Sequence, residues 1–438
     1  MPRAPRRPKT AMQVRLGYGK RGLDVALDAA WRVRMIRKPA MPVFAEPEAA
    51  VRRALAAPVA APTLEAAAAK VRSACILICD ITRPVPNGTV LPVVVRAHID
   101  AGLPAEAITV LVATGLHRPN EGAELRELVG DDWVLETVRV ENHFARNDAD
   151  HVHVGTTTHG NVVRLDKRFA GADLKIVTGL VEPHFMAGYS GGRKVIAPGV
   201  AHRETITTFH SARYMEDKNA ANCVLDDNPL HRDQLEIVRM IGGALAVNTV
   251  IDERRRLSFV NYGEIVSSHL DAVAFARRFT EVPVAERFPT VVTSAAGYPL
   301  DKTYYQTIKG MVAPLDVLEP GGTLIVASEM AEGLGSAEFC DAQRRLIRLG
   351  GDRFLESLLA KRHADIDEWQ TEMQLKPMRL GAIHLYAGGL PADAHGLTGV
   401  NVVPSVEEAV AASVAASGDP HVAVIPEGPY VVPVYRPE

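Results

Sequence analysis

What the chain has little of narrows the field first. Across 438 residues there are four cysteines, Cys75, Cys79, Cys223 and Cys340, and no CxxC pair. That spacing offers neither a zinc ribbon nor a disulfide framework, and Cys75 and Cys79, on one face of an apolar run, read as small buried hydrophobes. Charge imbalance is also missing: 49 Lys and Arg stand against 52 Asp and Glu, a formal −3. Nothing therefore asks for nucleic acid or an anionic membrane as a partner. No run of about twenty apolar residues exists to form a membrane span, no signal-like apolar segment precedes a cleavage site, and a cytoplasmic protein is expected. GxxxxGK[ST] does not occur, which counts against a P-loop, and the one GxGxxG string, Gly17–Gly22, runs into LDVAL, an alternating run rather than a helix, so it is not the fingerprint of an ordinary nicotinamide-dependent dehydrogenase. The basic start, PRAPRRPK, reads as a tail, since its prolines forbid a transit-peptide helix.

What is present fits a two-domain α/β protein. The length exceeds one usual core, and 47% hydrophobic with 23% charged residues is ordinary globular composition. Apolar, β-branched runs alternate with helical patterns at 46–57, 63–71 and 91–102, the signature of a mostly parallel sheet covered by helices. A helix around 268–278 precedes a linker near 280–289. Beyond it, PTVVTSAAG and GGTLIVASEMAEG predict two parallel strands of a second domain, with the helix YYQTIKGM between them.

Chemistry gathers at strand ends. CILICDITRPVP ends a buried run in Asp80, Thr82 and Arg83; ITVLVATGLHRP ends another in Thr114, Gly115, His117 and Arg118; LKIVTGLVEPHF ends a third in His184. Polar residues after buried parallel strands belong to the rim where α/β sheets bind ligands. Arg83 suits a carboxylate or phosphate, and two imidazoles suit proton transfer on two faces of one carbon. The third motif runs into AGYSGGRK, where Gly191 and Gly192 permit positive φ and close approach of a ligand, with Lys194 just behind and His210 further on as a neutral imidazole for a metal.

DITRPVP, TGLHRP, EPHFMAGYSGGRK and His210, in that order, resemble the nickel-dependent lactate racemase family, and the resemblance runs from about Met12 to the C-terminal region. It implies a nickel pincer cofactor, a pyridinium-3,5-bisthiocarboxylic acid mononucleotide, joined covalently to Lys194 and completed by His210 as nickel ligand. Ser190, Gly191, Gly192 and Thr82 are expected to bind that cofactor. His117 and His184 match the acid/base pair, and Arg83, assisted by Asp80, matches the substrate arginine. Tyr305, Gln306, Lys309 and Trp369 match residues that reach the substrate from the second domain; Gln306 and Lys309, three apart, share a helix face. The implied reaction is inversion of carbon 2 of a 2-hydroxy acid, lactate or something larger such as a sugar acid, by proton-coupled hydride transfer to and from the cofactor. Asn87, Thr114 and Tyr304 are candidate hydroxyl partners for a sugar acid. Loading would require cofactor-synthesis enzymes as partners. The expected organisation is a catalytic domain over 1–278 and a second domain over 286–400, with the active site in the cleft between them. The segment from about 405 to 438 would return to the first domain.

Two other readings compete. One is a cofactor-carrying homologue without catalysis; the other is an ordinary nicotinamide-dependent dehydrogenase, disfavoured because no GxGxxG opens a helix after a strand. His151 and His153 share a face if their segment is a strand, and with His159 they suggest metal ligands, although the same stretch matches the family's structural core. Glu182 is read either as a carboxylate that orients His184 or as a surface residue.

Overall fold

A computed structural model describes residues 11–437, so the basic tail lies outside the described residues. The chain forms two compact units. A central unit comprises Ala40–His210 and Glu216–Phe279. A terminal unit comprises residues 11–39, Ser211–Met215 and 280–437.

The central unit is built on a six-stranded sheet. Its spatial order is Leu257–Glu264, Leu245–Ile251, Leu174–Leu180, Ala74–Cys79, Ile108–Ala113, Arg139–Asn142. All neighbours run parallel except the first two, which form an antiparallel pair. Numbered by sequence, the order reverses between Ala74–Cys79 and Leu174–Leu180. A crevice opens outside the carboxyl ends of strands at such a switch point. Ala74–Cys79 is buried at every position, which is why it reads as an unbroken apolar run rather than an alternating one. Ile76, Ile78, Val110, Val112 and Ile176 pack against Val90 and Val94 of the helix Asn87–Asp100. Each fully buried aliphatic side chain of this kind contributes about 1.5–3 kcal/mol, so the strand ends stand on a stiff base.

The terminal unit has its own six-stranded sheet, entirely parallel, in the order Asn401–Val402, Ala382–Tyr386, Leu318–Ala327, Phe288–Ser294, His421–Ile425, Arg32–Met35. The strand, helix, strand unit foreseen around YYQTIKGM is there. Phe288–Ser294 and Leu318–Ala327 pair in parallel, joined through the helix Tyr304–Val312, whose start is capped by the Thr303 side chain accepting from Gln306 N. The hairpin Met12–Leu16 with Leu23–Leu27 packs Val14, Leu16, Val25 and Leu27 against Val406 and Val410 of the helix Val406–Ser417.

Two boundary expectations are corrected. The C-terminal segment does not return to the central unit: His421–Ile425 fills the second edge of Phe288–Ser294, and Val432–Tyr435 pairs in parallel with Glu281–Val284, inside the expected linker. The apolar strand Phe288–Ser294, buried throughout, needs a hydrogen-bonded neighbour on each side, and HVAVI supplies one. The first domain, read as starting at residue 1, instead begins at Ala40, because Arg32–Met35 adds to the outer edge of His421–Ile425. The chain changes unit at Thr280, where the linker was placed.

Candidate active site

Three adjacent parallel strands of the central unit release their polar residues at one end. From Ala74–Cys79 come Asp80, Thr82 and Arg83; from Ile108–Ala113 comes His117; from Leu174–Leu180 come Glu182 and His184. Asp80 is 5% exposed, yet both of its carboxylate oxygens are used: Oδ1 accepts from Thr82 Oγ1 at 2.6 Å and Oδ2 accepts from His117 Nδ1 at 2.6 Å. Burial pushes the Asp80 pKa up, but the His117 ring, the Thr82 hydroxyl and the Arg83 charge outweigh it and hold the group below the usual carboxylate value. The ionised carboxylate fixes the proton on His117 Nδ1, so Nε2 of this exposed ring carries the lone pair.

His184 is set the other way. Its Nδ1 accepts the backbone N–H groups of Met186 and Ala187 at 3.3 and 3.2 Å, so its proton sits on Nε2. Arg83 is held by the Glu182 carboxylate across the point where strand order reverses. This is the role of Glu182; no bond to His184 is seen for it. Burial pulls the Arg83 pKa down, and Glu182, Cys79 and Asp80 more than restore it, leaving it raised.

The glycine-rich turn is locked from inside. Ser190 N donates to Glu182 O at 2.9 Å, and Ser190 Oγ donates to Leu180 O at 2.7 Å. Gly191 and Gly192 have φ of +78° and +47°. A Cβ on Gly191 would lie 2.7 Å from Val181 Cγ2, and one on Gly192 3.0 Å from His269 Cδ2, so both positions require glycine. The helix that follows, Arg193–Ile196, is a single turn. Arg193 is 2% exposed and has no carboxylate among its bonds: its guanidinium donates to His231 Nδ1 at 2.8 Å, Tyr189 O at 2.9 Å and Ala187 O at 3.1 Å. Burial lowers its pKa to about 9. Sequence reasoning passed over Arg193, because an arginine beside two glycines looks solvated; its one sequence signal is its place among buried apolar neighbours.

Lys194 is half-buried and lies within electrostatic reach of His210 and Cys79. Burial lowers the His210 pKa to about 4, with the Lys194 charge helping and the bond to Ile206 O opposing. His210 Nδ1 donates to Ile206 O at 2.8 Å, so Nε2 carries the lone pair of a ring that is neutral at pH 7. A neutral imidazole oriented through its other nitrogen is the donor that a divalent transition metal takes.

The residues expected from the second domain lie in the terminal unit. Tyr305 shares side-chain hydrogen bonds with Trp369 and Asp367, and its backbone O accepts from Gln370 Nε2 at 2.6 Å. Burial raises the Tyr305 phenol well above its ordinary value. Trp369 is 7% exposed, at the start of the helix Glu368–Leu380. Gln306 and Lys309 are both partly buried on Tyr304–Val312, and Gln306 Oε1 is buried without a hydrogen-bond partner. The suggested sugar-acid partners make internal bonds: Asn87 Nδ2 donates to Leu128 O, Thr114 Oγ1 to His143 O and Tyr304 Oη to Thr398 O, while Asn87 Oδ1 is buried without a hydrogen-bond partner. The tempting histidines also have separate duties. His151 pairs with His143, Nε2 to Nε2 at 3.0 Å, His159 pairs with Asp233, and His153 is exposed. Among the described residues no group of three His, Cys, Asp or Glu could hold a metal ion, so these do not form a zinc site.

Comparison with known proteins agrees over both units. Residues 18–222 match the lactate racemase N-terminal domain and residues 285–433 the lactate racemase C-terminal domain. A curated lactate racemase from Thermoanaerobacterium thermosaccharolyticum is 34% identical over 289 residues, 66% of this chain and 67% of the relative. One from Lactiplantibacillus plantarum is 32% identical over 289 residues, 66% of this chain and 68% of the relative. The solved lactate racemase apoprotein from T. thermosaccharolyticum superposes with a TM-score of 0.88 at 27% identity, covering 96% of this chain and all of that one. A Thermotoga maritima protein shares the fold, with a TM-score of 0.66 at 18% identity over 89% of this chain and 99% of its own.

Proposed function

Because the chain belongs to the lactate racemase family and is an isomerase of the racemase type, we propose that it inverts carbon 2 of a 2-hydroxy acid, lactate first among them, with the strand-end residues of the central unit as its catalytic centre. The observation that carries this reading is the opposite protonation of two histidines at strand ends of one sheet, His117 with a lone pair on Nε2 and His184 with a proton there.

The residues fit the cofactor implied by the family. His210 would offer a neutral nitrogen donor for nickel and Lys194 an amine for the covalent link, and Thr82, Ser190, Gly191 and Gly192 would complete the set that holds the cofactor. When bound, that cofactor supplies a reversible hydride acceptor. What the chain's own residues do follows from their bonds. His117 Nε2 takes the proton of the substrate hydroxyl, and Asp80 stabilises the imidazolium that results. The Nε2–H of His184 hydrogen-bonds that oxygen as carbonyl character develops and, once the carbonyl has turned, gives up its proton to restore the hydroxyl. For the opposite hand of substrate the two roles exchange, and the long contacts at His184 Nδ1 are the ones that give way. Arg83 holds the carboxylate so that the carbonyl turns while the acid stays fixed.

Loading by cofactor-synthesis enzymes is part of this reading. The test is intact mass and nickel content of protein produced together with such a pathway, beside Lys194→Ala, followed by a panel of 2-hydroxy acids in both stereochemical directions. A Lys194-dependent adduct with nickel and inversion of a panel member support it. No adduct with an active pathway rejects the cofactor, and an adduct without turnover identifies a carrier. No helix among the described residues is long and apolar enough to cross a membrane.

A further inference from the structure

We propose that Glu182 is a positioning residue that holds Arg83 and competes with the substrate carboxylate for it. The inference rests on the reading of Arg83 as the carboxylate clamp and assigns a function to its partner.

The Glu182 backbone does not need its side chain. Glu182 N donates to Ser190 Oγ at 3.2 Å and Glu182 O accepts from Ser190 N at 2.9 Å, so the turn is closed through main chain and serine. The carboxylate reaches instead across the sheet's switch point to a residue 99 positions away. Of the two carboxylates that raise the Arg83 pKa, Asp80 is committed through both oxygens, to Thr82 and His117. Glu182 spends Oε1 on Arg83 Nη1, which leaves the rest of the guanidinium fork for a planar guest. The two side chains are 27% and 29% exposed, so solvent and a small anion reach both.

Two opposed effects follow. A fixed guanidinium presents its fork in one orientation, which favours turnover. The same carboxylate neutralises Arg83 and repels an incoming acid, which weakens ground-state binding. Glu182→Gln removes the charge and weakens the hold on Arg83 to a neutral hydrogen bond, so both effects show in one variant, one in KM and the other in kcat.

The experiment compares wild type, Glu182→Gln and Arg83→Met as loaded enzyme with lactate, and as apoprotein by phenylglyoxal labelling read at the Arg83 peptide. For Glu182→Gln the KM for lactate falls about threefold or more, the size of a partly exposed ion pair, while kcat falls roughly tenfold. In the apoprotein Arg83 is labelled faster, because the neutral guanidine that reacts is no longer suppressed, while the melting temperature stays close to wild type. A raised or unchanged KM together with an unchanged labelling rate overturns the proposal. If Arg83→Met leaves KM unchanged, the carboxylate-clamp reading itself fails. If Arg83→Met raises KM but Glu182→Gln leaves it unchanged, only the Glu182 inference fails. If loaded wild type inverts nothing, the labelling arm alone decides whether Glu182 governs Arg83.

Discussion

Asp80 does the most work per atom in the described site. It has no water-facing role at 5% exposure, it is ionised, and it fixes which nitrogen of His117 can take a proton. Replacing it with Asn removes the charge that stabilises an imidazolium and frees the ring to turn, so kcat for Asp80→Asn is expected to fall on the order of a hundredfold. Chiral chromatography of lactate after timed incubation measures this, and kcat within twofold of wild type would deny the dyad its role. Arg193 belongs to the same scale but serves the fold. Arg193→Met removes three buried hydrogen bonds, to His231 Nδ1, Tyr189 O and Ala187 O, at a cost of about 2 kcal/mol or more, visible as a lower denaturant midpoint. At this scale the sequence was legible where chemistry is local. Asp80, His117 and His184 announce themselves as polar residues ending buried runs. Glu182 and Arg193 do not, since one acts on a residue 99 positions away and the other is buried among backbone carbonyls.

At the scale of elements, the turn from Gly188 to Lys194 follows an interior strand of the central sheet, and the proposed function makes it the cofactor anchor. Two of its three positive-φ glycines, Gly191 and Gly192, are wedged against Val181 and His269, so Gly191→Ala forces a Cβ into an occupied place as well as an unfavourable φ. The expected loss is about 1–3 kcal/mol of stability, with reduced attachment of cofactor at Lys194, read by thermal melting and intact mass. The pattern SGGxK showed that such a turn exists; its interior lock by Arg193 needed coordinates. Strand pairing was the other unreadable layer. HVAVI says strand, but an apolar run carries no label for its neighbour, so the sequence reading sent it to the wrong unit. In the fold it fills the bare edge of Phe288–Ser294.

Across the whole molecule, one electrostatic feature recurs in the central unit: six of its histidines have their pKa lowered by burial. Burial lowers the pKa of His143 to about 3, His231 to about 3 and His210 to about 4, and lowers His98, His202 and His269 as well. An unfolded histidine takes its proton near pH 6.5, whereas these folded ones refuse it until far lower. Their contribution is therefore fully present above about pH 6.5 and is lost progressively as pH falls toward 4 and then 3. Asp80, whose folded pKa is depressed, loses its contribution in the same direction once pH drops through the carboxylate range. Melting temperature should decline steadily from pH 7 to pH 4, and a flat profile would contradict the neutral-histidine account. The central claim is that His117 and His184 work on the oxygen of the substrate, leaving the hydrogen on carbon 2 to return without passing through water. The most direct test is conversion of lactate deuterated at carbon 2 by the loaded enzyme in ordinary water. Retention of deuterium in the inverted product is the expected result. Its replacement by solvent hydrogen would mean that a histidine removes the carbon-bound proton, and the roles assigned here would be wrong.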